Sequence, residues 1–282
     1  MSGQNKLLLI ILDGVPWRNF RSLFGNLEGW VESGEARVWK MRAVVPSISA
    51  ACYASIHTGV TPAVHGCTGN TNVFRLPLPD VFSEVRRAGG VTGAVAHSYW
   101  SELYNRAPFD PVQDLEYNEP DSASINYGRF YSMTGDNRDN QMTPSDADLF
   151  ALMTMLTERH GLDYGMMLVS TLDSMGHRFQ HDCEAMDQAI FKMDEYLAPF
   201  ITRWRKAGYE VIVTADHGQN DRGHHGGRGA DQQDTALYYF GPAAGPDSDQ
   251  LIDMVQLAPT ILTRMGVPVP ETMKAASFLS AE

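Results

Sequence analysis

VTADHG, at residues 213–218, carries the strongest indication of both fold and chemistry in this 282-residue chain, and the histidine-rich turn GHHGG follows at residues 223–227. Residues 209–213 are typical of a buried strand, which runs directly into an aspartate, a histidine and a glycine. In an open α/β sheet, ligand-binding groups gather beyond the carboxyl ends of the strands. The stretch therefore predicts an α/β protein with a metal site at that end of its sheet.

Working outward, apolar strand patterns alternate with helical patterns along most of the chain. The uninterrupted apolar run at residues 7–12 is typical of a parallel strand that is covered on both faces. Strands are predicted at 7–12, 37–45, 91–96, 166–171, 209–214 and 236–240, and helices at 49–58, 80–88, 145–160, 181–206 and 253–265. This alternation predicts one α/β domain, residues 1–282, whose central sheet is mostly parallel and sandwiched by helices.

Residues 97–143 interrupt this alternation. The segment is rich in Tyr, Asn, Asp, Pro and Gly, has little periodicity and is longer than an ordinary connection. We expect a small lid or substrate-pocket insertion. Four residues near its start are candidates for lining that pocket, with packing in the core as the alternative: His97, Tyr99, Trp100 and Tyr104.

Composition restricts the compartment and the partners. The net charge of −12, from 34 acidic and 22 basic residues, argues against binding to nucleic acid or to an anionic membrane. The cysteines Cys52, Cys67 and Cys183 form no CxxC pair, and their odd number favours a reducing compartment. The apolar run at 7–12 is too short for a membrane span and lacks the features of a signal peptide. We expect a cytoplasmic protein, and its oligomeric state is left open.

Polar residues with metal-binding chemistry follow several of the predicted strands. The set comprises Asp13, Ser49, Asp173, His177, Asp216, His217 and His225, with His224 as the alternative to His225. Three carboxylates, three imidazoles and a hydroxyl suit two divalent cations. Zn²⁺ is the natural choice for mixed nitrogen and oxygen ligands, although Mn²⁺ or Fe accepts the same donors.

In the order and identity of its motifs the chain resembles the type I phosphodiesterase/nucleotide pyrophosphatase family of the alkaline phosphatase superfamily. The matching motifs are LDG at 12–14, PSIS at 46–49 running to TG at 58–59, PAVHG at 62–66, DSMGH at 173–177, DHG at 216–218 and HG at 225–226. The resemblance implies an alkaline phosphatase-like catalytic domain. The segment 97–143 has no counterpart in it.

The resemblance also implies a role for each candidate residue. One metal would be held by Asp173, His177 and His225, and the other by Asp13, Asp216 and His217. Ser49 stands where the family has its nucleophile, in contact with the second metal, and would carry a phosphoseryl intermediate. Asn70 falls where phosphodiesterases have an amide that binds a phosphoryl oxygen. These roles are physically consistent, because a dication and a helix N-terminus both stabilise a serine alkoxide.

The reaction predicted first is hydrolysis of a small-molecule phosphate diester. A sulfatase normally has Arg four residues after its nucleophile, and the Tyr53 found there disfavours that activity. A cofactor-independent phosphoglycerate mutase has a large domain inserted after its nucleophile, and the predicted helix that already ends at Gly59 leaves no room for one. A phosphomonoesterase relies on Arg to bind a dianion, whereas the neutral Asn70 suits a diester. Carbon–phosphorus hydrolysis remains an alternative, because residues 62–70 also resemble phosphonoacetate hydrolases, and phosphomonoester hydrolysis stays open beside it. An inactive metal-binding module is the alternative from another class, although such a module has no use for Ser49.

Overall fold

The structure, a computed structural model, describes residues 5–119, 124–133 and 144–281 and is built on one large sheet. Its strands are β1 Lys6–Leu12, β2 Arg37–Arg42, β3 Thr92–His97, β4 Glu116–Asn118, β5 Tyr127–Tyr131, β6 Tyr164–Val169, β7 Tyr209–Thr214, β8 Asp234–Phe240 and β9 Ile252–Asp253. They lie in the order β4-β5-β3-β6-β1-β7-β8-β2-β9.

The centre of the sheet is parallel, and this arrangement places the candidate site. β1 pairs in parallel with β6, from Leu7 with Tyr164 to Leu12 with Val169, and with β7 on its other side. The apolar residues of β1 are fully buried. In the described part of the sheet, β8 is antiparallel to both of its neighbours, β7 and β2, and β4 is antiparallel to β5. The predicted α/β fold with a mostly parallel sheet is therefore confirmed, and β1, β6 and β7 all end at one edge.

Helices flank the sheet and connect its strands. They are α1 Trp17–Leu23, α2 Gly25–Glu32, α3 Ser49–Thr58, α4 Pro62–His65, α5 Val81–Arg87, α6 Ser98–Tyr104, α7 Pro111–Asp114, α8 Asp146–His160, α9 Thr171–Phe179, α10 Glu184–Lys206, α11 Ala230–Gln233 and α12 Leu257–Arg264, with a 3₁₀ turn at Met254–Gln256. Among the helices of the described residues, none combines the length and the apolar character needed to cross a membrane.

Helix α3 begins and ends where its sequence predicts. All ten of its residues are buried, including Ser49 at its first position. The backbone N–H of Gly59 donates to the carbonyl of Ser55 with a left-handed φ of 65°, a conformation that glycine adopts without strain and that stops the helix. The nucleophile candidate therefore lies at the N-terminus of a rigid, buried helix.

Several predicted boundaries are wrong by two residues or more. The helix predicted at 181–206 starts at Glu184, and the strand predicted at 236–240 starts at Asp234. The strand predicted at 166–171 is β6, which starts at Tyr164 and ends at Val169, so that Thr171 already begins α9. The acidic Asp173 lies in the first turn of α9, where a carboxylate favours a helix start. The strand predicted at 37–45 ends at Arg42. The shift of β6 matters for function, because it places Asp173 on a helix.

The segment 97–143 joins the sheet over much of its described part. It contributes α6, α7 and the strands β4 and β5, which extend the sheet beyond β3 and leave β4 as the edge strand. Residues 120–123 and 134–143 lie outside the described residues. The role of the segment as a lid stays a prediction.

Candidate metal centre

The edge where β1, β6 and β7 end gathers side chains from distant parts of the sequence. Asp13 follows β1, Asp173 lies in the first turn of α9 after β6, and Asp216 follows β7. Because β8 reverses direction, residues 215–233 between β7 and β8 also lie at this edge. That connection carries His217 and His225, and α3 brings Ser49 to the same place.

Asp13, Asp216 and His217 form one buried group, which we term the Asp13 cluster. His217 Nε2 lies 3.2 Å from Asp216 Oδ2 and 3.6 Å from Asp13 Oδ1. Their ligand atoms are close enough together to surround one metal ion. This is the set that the resemblance assigns to the metal beside the nucleophile.

Asp173, His177 and His225 form a second group beside it, the Asp173 cluster. His177 Nε2 lies 3.2 Å from Asp173 Oδ2 and 3.2 Å from His225 Nε2, and His225 Nε2 lies 3.8 Å from Asp173 Oδ1. The rings of His217 and His225 stack with their centroids 3.9 Å apart. The ligand atoms of Asp173, His217 and His225 also lie within 4.8 Å of one another, so the two clusters adjoin at His217.

Backbone carbonyls determine which ring nitrogen is free in two of the three histidines, His217 and His225. The Nδ1 atom of His225 lies 3.0 Å from the carbonyl oxygen of Ser47, and that of His217 lies 3.2 Å from the carbonyl oxygen of Gly218. A carbonyl can only accept, so Nδ1 carries the proton in both rings, and the Nε2 lone pair is left free for a cation held between the imidazoles and the carboxylates. This arrangement is typical of metal-ligating histidines.

The Ser47 hydroxyl explains why His225 rather than His224 joins the cluster. It accepts from the Gly226 N–H and donates to the Gly227 carbonyl, both at 3.0 Å, and so holds the turn against the start of α3. His225 is thereby directed inward, whereas His224 is exposed. The structure thus places His225, not His224, beside the other ligand candidates.

We expect His225→Ala to weaken metal binding at the Asp173 cluster by at least about 100-fold, more than the loss of an outer hydrogen-bond partner costs. His224→Ala removes the same ring from the neighbouring exposed position and should bind metal like the wild type. Zinc affinity measured by competition with a chelator checks both variants. A larger loss in His224→Ala would reverse the assignment.

The electrostatics of the Asp13 cluster fit a dication. Burial, followed by the charges of Asp216 and Asp173, raises the pKa of Asp13 well above its usual value, and burial and the charge of Asp173 raise the pKa of Asp216 to about 7. Asp13 Oδ1 and Asp216 Oδ2 are buried without a hydrogen-bond partner in the described structure. Burial lowers the pKa of His217 and of His225 to about 4, which keeps both rings neutral and able to ligate. Burying charged carboxylates in this way destabilises the folded protein unless a cation compensates their charge.

Ser49 and Asn70 lie beside the two clusters. Ser49 Oγ is 3.2 Å from His217 Nε2, and Asn70 Oδ1 accepts from the N–H of Ala50 at 3.0 Å. That bond fixes the Asn70 amide and leaves its NH₂ group without a partner among the described residues. A cavity of about 160 Å³ opens over Ser49 and Asn70, and no Lys or Arg is among its described lining residues.

Two of the four pocket candidates do line this cavity. His97 and Tyr99 are lining residues, and the Tyr99 hydroxyl donates to the backbone carbonyl of Asn70 at 3.2 Å. The prediction for Trp100 and Tyr104 is wrong, since both side chains are fully buried. The Trp100 ring stacks on Tyr53 with centroids 5.1 Å apart, and the Tyr104 hydroxyl donates to the Tyr53 carbonyl at 2.7 Å. They pack α6 against α3, the alternative that the sequence left open.

The sequence did not predict the contacts that three further residues make with the candidate ligands. The Tyr53 hydroxyl donates to Asp13 Oδ2, Ser47 holds the His225 turn, and Gln219 donates to Asp173. Tyr53 could have been found, because it lies one helical turn after Ser49. Ser47 and Gln219 have no comparable signal, since their partners lie far away in sequence.

Comparison with known proteins found a matching family model and relatives that align with part of the chain. A family model described as type I phosphodiesterase / nucleotide pyrophosphatase matches residues 7–232. The 2,3-bisphosphoglycerate-independent phosphoglycerate mutase of Wolinella succinogenes is 29% identical over 127 residues, which are 44% of this chain and 25% of the mutase. The catalytic subunit of human GPI ethanolamine phosphate transferase 3 is 27% identical over 104 residues, 35% of this chain and 10% of that protein. The chain thus spans a quarter or less of these two relatives.

Among solved structures, murine ectonucleotide pyrophosphatase/phosphodiesterase 5 superposes with a TM-score of 0.73. The alignment covers 98% of this chain and 100% of the murine one at 13% identity. At that identity the likeness concerns the fold.

Proposed function

This chain belongs to the type I phosphodiesterase/nucleotide pyrophosphatase family, and from that membership and the site geometry we propose that it hydrolyses small-molecule phosphate diesters with two bound divalent cations. One observation carries the proposal: Ser49 Oγ, at the N-terminus of α3, lies 3.2 Å from His217 Nε2, where the two clusters adjoin. A hydroxyl in that position is suited to nucleophilic attack.

The donor set supports the choice of metal. The Asp13 cluster and the Asp173 cluster would each hold one cation, and Zn²⁺ suits their mixture of imidazole and carboxylate donors best, with Mn²⁺ or Fe as substitutes. When bound, the two cations would compensate the buried carboxylates and stabilise the attacking and leaving oxygens of an in-line displacement.

Ser49 would perform the first half of the reaction. Its Oγ attacks phosphorus, an Oγ–P bond forms, and the bond from phosphorus to the leaving oxygen breaks. The serine proton passes to solvent, and the leaving alkoxide takes a proton from water. The positive end of α3 favours the alkoxide form of Ser49. Water then hydrolyses the phosphoseryl intermediate, returns a proton to Oγ and releases a phosphate monoester.

Asn70 supports the choice of a diester. Its side-chain oxygen Oδ1 accepts from the Ala50 N–H, so its NH₂ group is available to donate to a non-bridging phosphoryl oxygen. A diester carries a single negative charge, which a neutral amide suits. A dianionic monoester, or a phosphonate that also bears a carboxylate, calls for Arg or Lys, and neither type is found among the described residues that line the cavity.

His97 and Tyr99 are positioned to contact the alcohol groups of the substrate, since they line the cavity next to Ser49. A solved structure of an inactive variant of the murine neighbour contains AMP. We therefore take a nucleotide diester as the first natural candidate, with an aryl diester as its assayable analogue.

We expect the zinc-loaded protein to hydrolyse an aryl phosphate diester with a kcat/KM at least about tenfold above that for the matching monoester, a difference of about 1.4 kcal/mol. Phosphonoacetate and an aryl sulfate, assayed in parallel, should be slower still. Faster cleavage of the monoester would contradict the role of Asn70, and faster cleavage of phosphonoacetate would identify a carbon–phosphorus hydrolase. If two metals bind and all four compounds stay intact, the chain is a metal-binding module.

A further inference from the structure

Gln219 and His181 lie behind Asp173 and take no part in the mechanism above. The Gln219 side chain is fully buried, and its NH₂ group donates to the backbone carbonyl of Asp173 at 3.2 Å and to Asp173 Oδ1. Its Oε1 atom lies 2.7 Å from Nε2 of His181, which is also buried. Both ends of the amide are therefore engaged, one by the candidate metal ligand and the other by a histidine.

The histidine determines which end of the amide meets the carboxylate. A glutamine amide can turn by half a rotation and exchange its oxygen and its NH₂ group. Only the NH₂ group can donate to Asp173, because the amide oxygen would repel the carboxylate. An N–H at His181 Nε2, donating to Gln219 Oε1, selects the productive orientation. Asp173 Oδ1 is then held by Gln219, while Oδ2 lies 3.2 Å from His177 Nε2.

The backbone around His181 is specialised for this contact. Gln180, which follows α9, has a φ of 71° and is the one non-glycine residue with positive φ among residues 5–119, 124–133 and 144–281. Residues with a Cβ rarely adopt that conformation and keep it only where surrounding contacts enforce it. Here the His181 N–H donates to the Asp221 carbonyl at 3.1 Å, which attaches His181 to the connection that carries Gln219.

Gly176 leaves the space that the two side chains occupy. A Cβ at this position of α9 would lie 1.9 Å from Gln219 Oε1 and 2.7 Å from His181 Nε2. Any other residue would displace the amide, the imidazole or both. The requirement for glycine at 176, three residues after Asp173 on the same helix, is thus explained by the pair.

From these contacts we infer that Gln219 and His181 are a positioning pair that holds the Asp173 carboxylate in its metal-binding orientation. The inference rests on the proposed role of Asp173 as a metal ligand. Loss of the pair frees Asp173 to rotate, so the metal of the Asp173 cluster is bound more weakly. The Asp13 cluster, whose Asp13 carboxylate is held by Tyr53 instead, keeps its affinity.

The test uses the full chain with Gln219→Met, which keeps the side-chain volume and loses the donors, and His181→Phe, which keeps a ring and loses the N–H. The two zinc dissociation constants are measured by chelator competition, and cadmium NMR reports each site separately. We expect the affinity of one site to fall about 10- to 100-fold in both variants, as is typical for outer partners of metal ligands, with one cadmium resonance shifted and the other unchanged.

Two further variants separate positioning from packing. His181→Gln restores an N–H donor toward Gln219 and should recover most of the affinity that His181→Phe loses. Tyr53→Phe removes the hydroxyl that holds Asp13 and should weaken the other site. Equal weakening of both sites, or none in either Gln219→Met or His181→Phe, overturns the inference.

Asp173→Asn, measured alongside, distinguishes this inference from the proposed function. If Asp173→Asn loses one metal while Gln219→Met binds both like the wild type, the positioning pair is refuted and the metal site stands. If Asp173→Asn keeps both metals at wild-type affinity, Asp173 is not a ligand, and both the proposed metal centre and the positioning pair are refuted.

Discussion

Ser49→Ala is expected to lower the kcat for an aryl phosphate diester by at least about 10³-fold while both metals stay bound, because removing a catalytic nucleophile typically costs that much or more. The variant removes the only protein atom proposed to bond to phosphorus. The two clusters supply six other donor residues, so the metal content should not change. Turnover and elemental analysis of the same preparation check both statements.

A matched control comes from the same helix. Ser55 is also a buried serine of α3, and its hydroxyl pairs with His65 Nε2 at 2.9 Å, away from the clusters. Ser55→Ala should keep most of the turnover. In the wild type, acid quenching during turnover should reveal Ser49 carrying the phosphoryl group with its remaining alcohol, detected by peptide mass. Retention of more than about a tenth of the turnover in Ser49→Ala would point to direct attack by water.

Asp216→Asn should have opposite effects on metal binding and on the stability of the metal-free protein. In metal-free protein the variant removes a fully buried carboxylate whose Oδ2 atom lacks a partner among the described residues. Above pH 7 its free energy of unfolding should exceed that of the wild type by on the order of 2 to 4 kcal/mol, since each unit of pKa shift corresponds to about 1.4 kcal/mol. The same variant should lose the metal of the Asp13 cluster and with it the turnover.

The pH dependence has a definite sign. Burial and the charge of Asp173 raise the pKa of Asp216 to about 7 in the folded chain, against about 3.9 in an unfolded one. The folded state therefore binds the proton more tightly, and the contribution of Asp216 to stability is lost as the pH rises from about 4 to about 7. The advantage of Asp216→Asn should grow across this window and stay constant above it.

Urea unfolding in the presence of a chelator, at several pH values, measures this difference. The exposed Asp249 offers the control, because Asp249→Asn also removes one negative charge and should leave both stability and metal content unchanged. Saturating zinc should reverse the ranking, since only the wild type gains the free energy of metal binding at the Asp13 cluster. Equal stability of metal-free wild type and Asp216→Asn above pH 7 would show that the carboxylate is not destabilising.

The sequence by itself determined the fold class and the residues that gather at the sheet edge. Asp13 and Asp216 each follow the end of a buried strand, and adjacent parallel strands end at the same edge. The position of each residue along its strand therefore predicts its position in space. Ser49 follows the same logic, because its place at the start of a small, apolar helix is a local property of the chain.

The tertiary structure alone decided which side chains support those residues. Trp100 and Tyr104 belong to an aromatic sequence that suits a binding pocket as well as a core, and only the packing of α6 on α3 places them in the core. Gln219 meets Asp173 across 46 positions of sequence, and Ser47 reaches Gly227 across 180. Periodicity and spacing describe neighbours within one element. Contacts between elements arise only when the sheet brings their ends together, so the residues that orient the candidate ligands are defined by the fold.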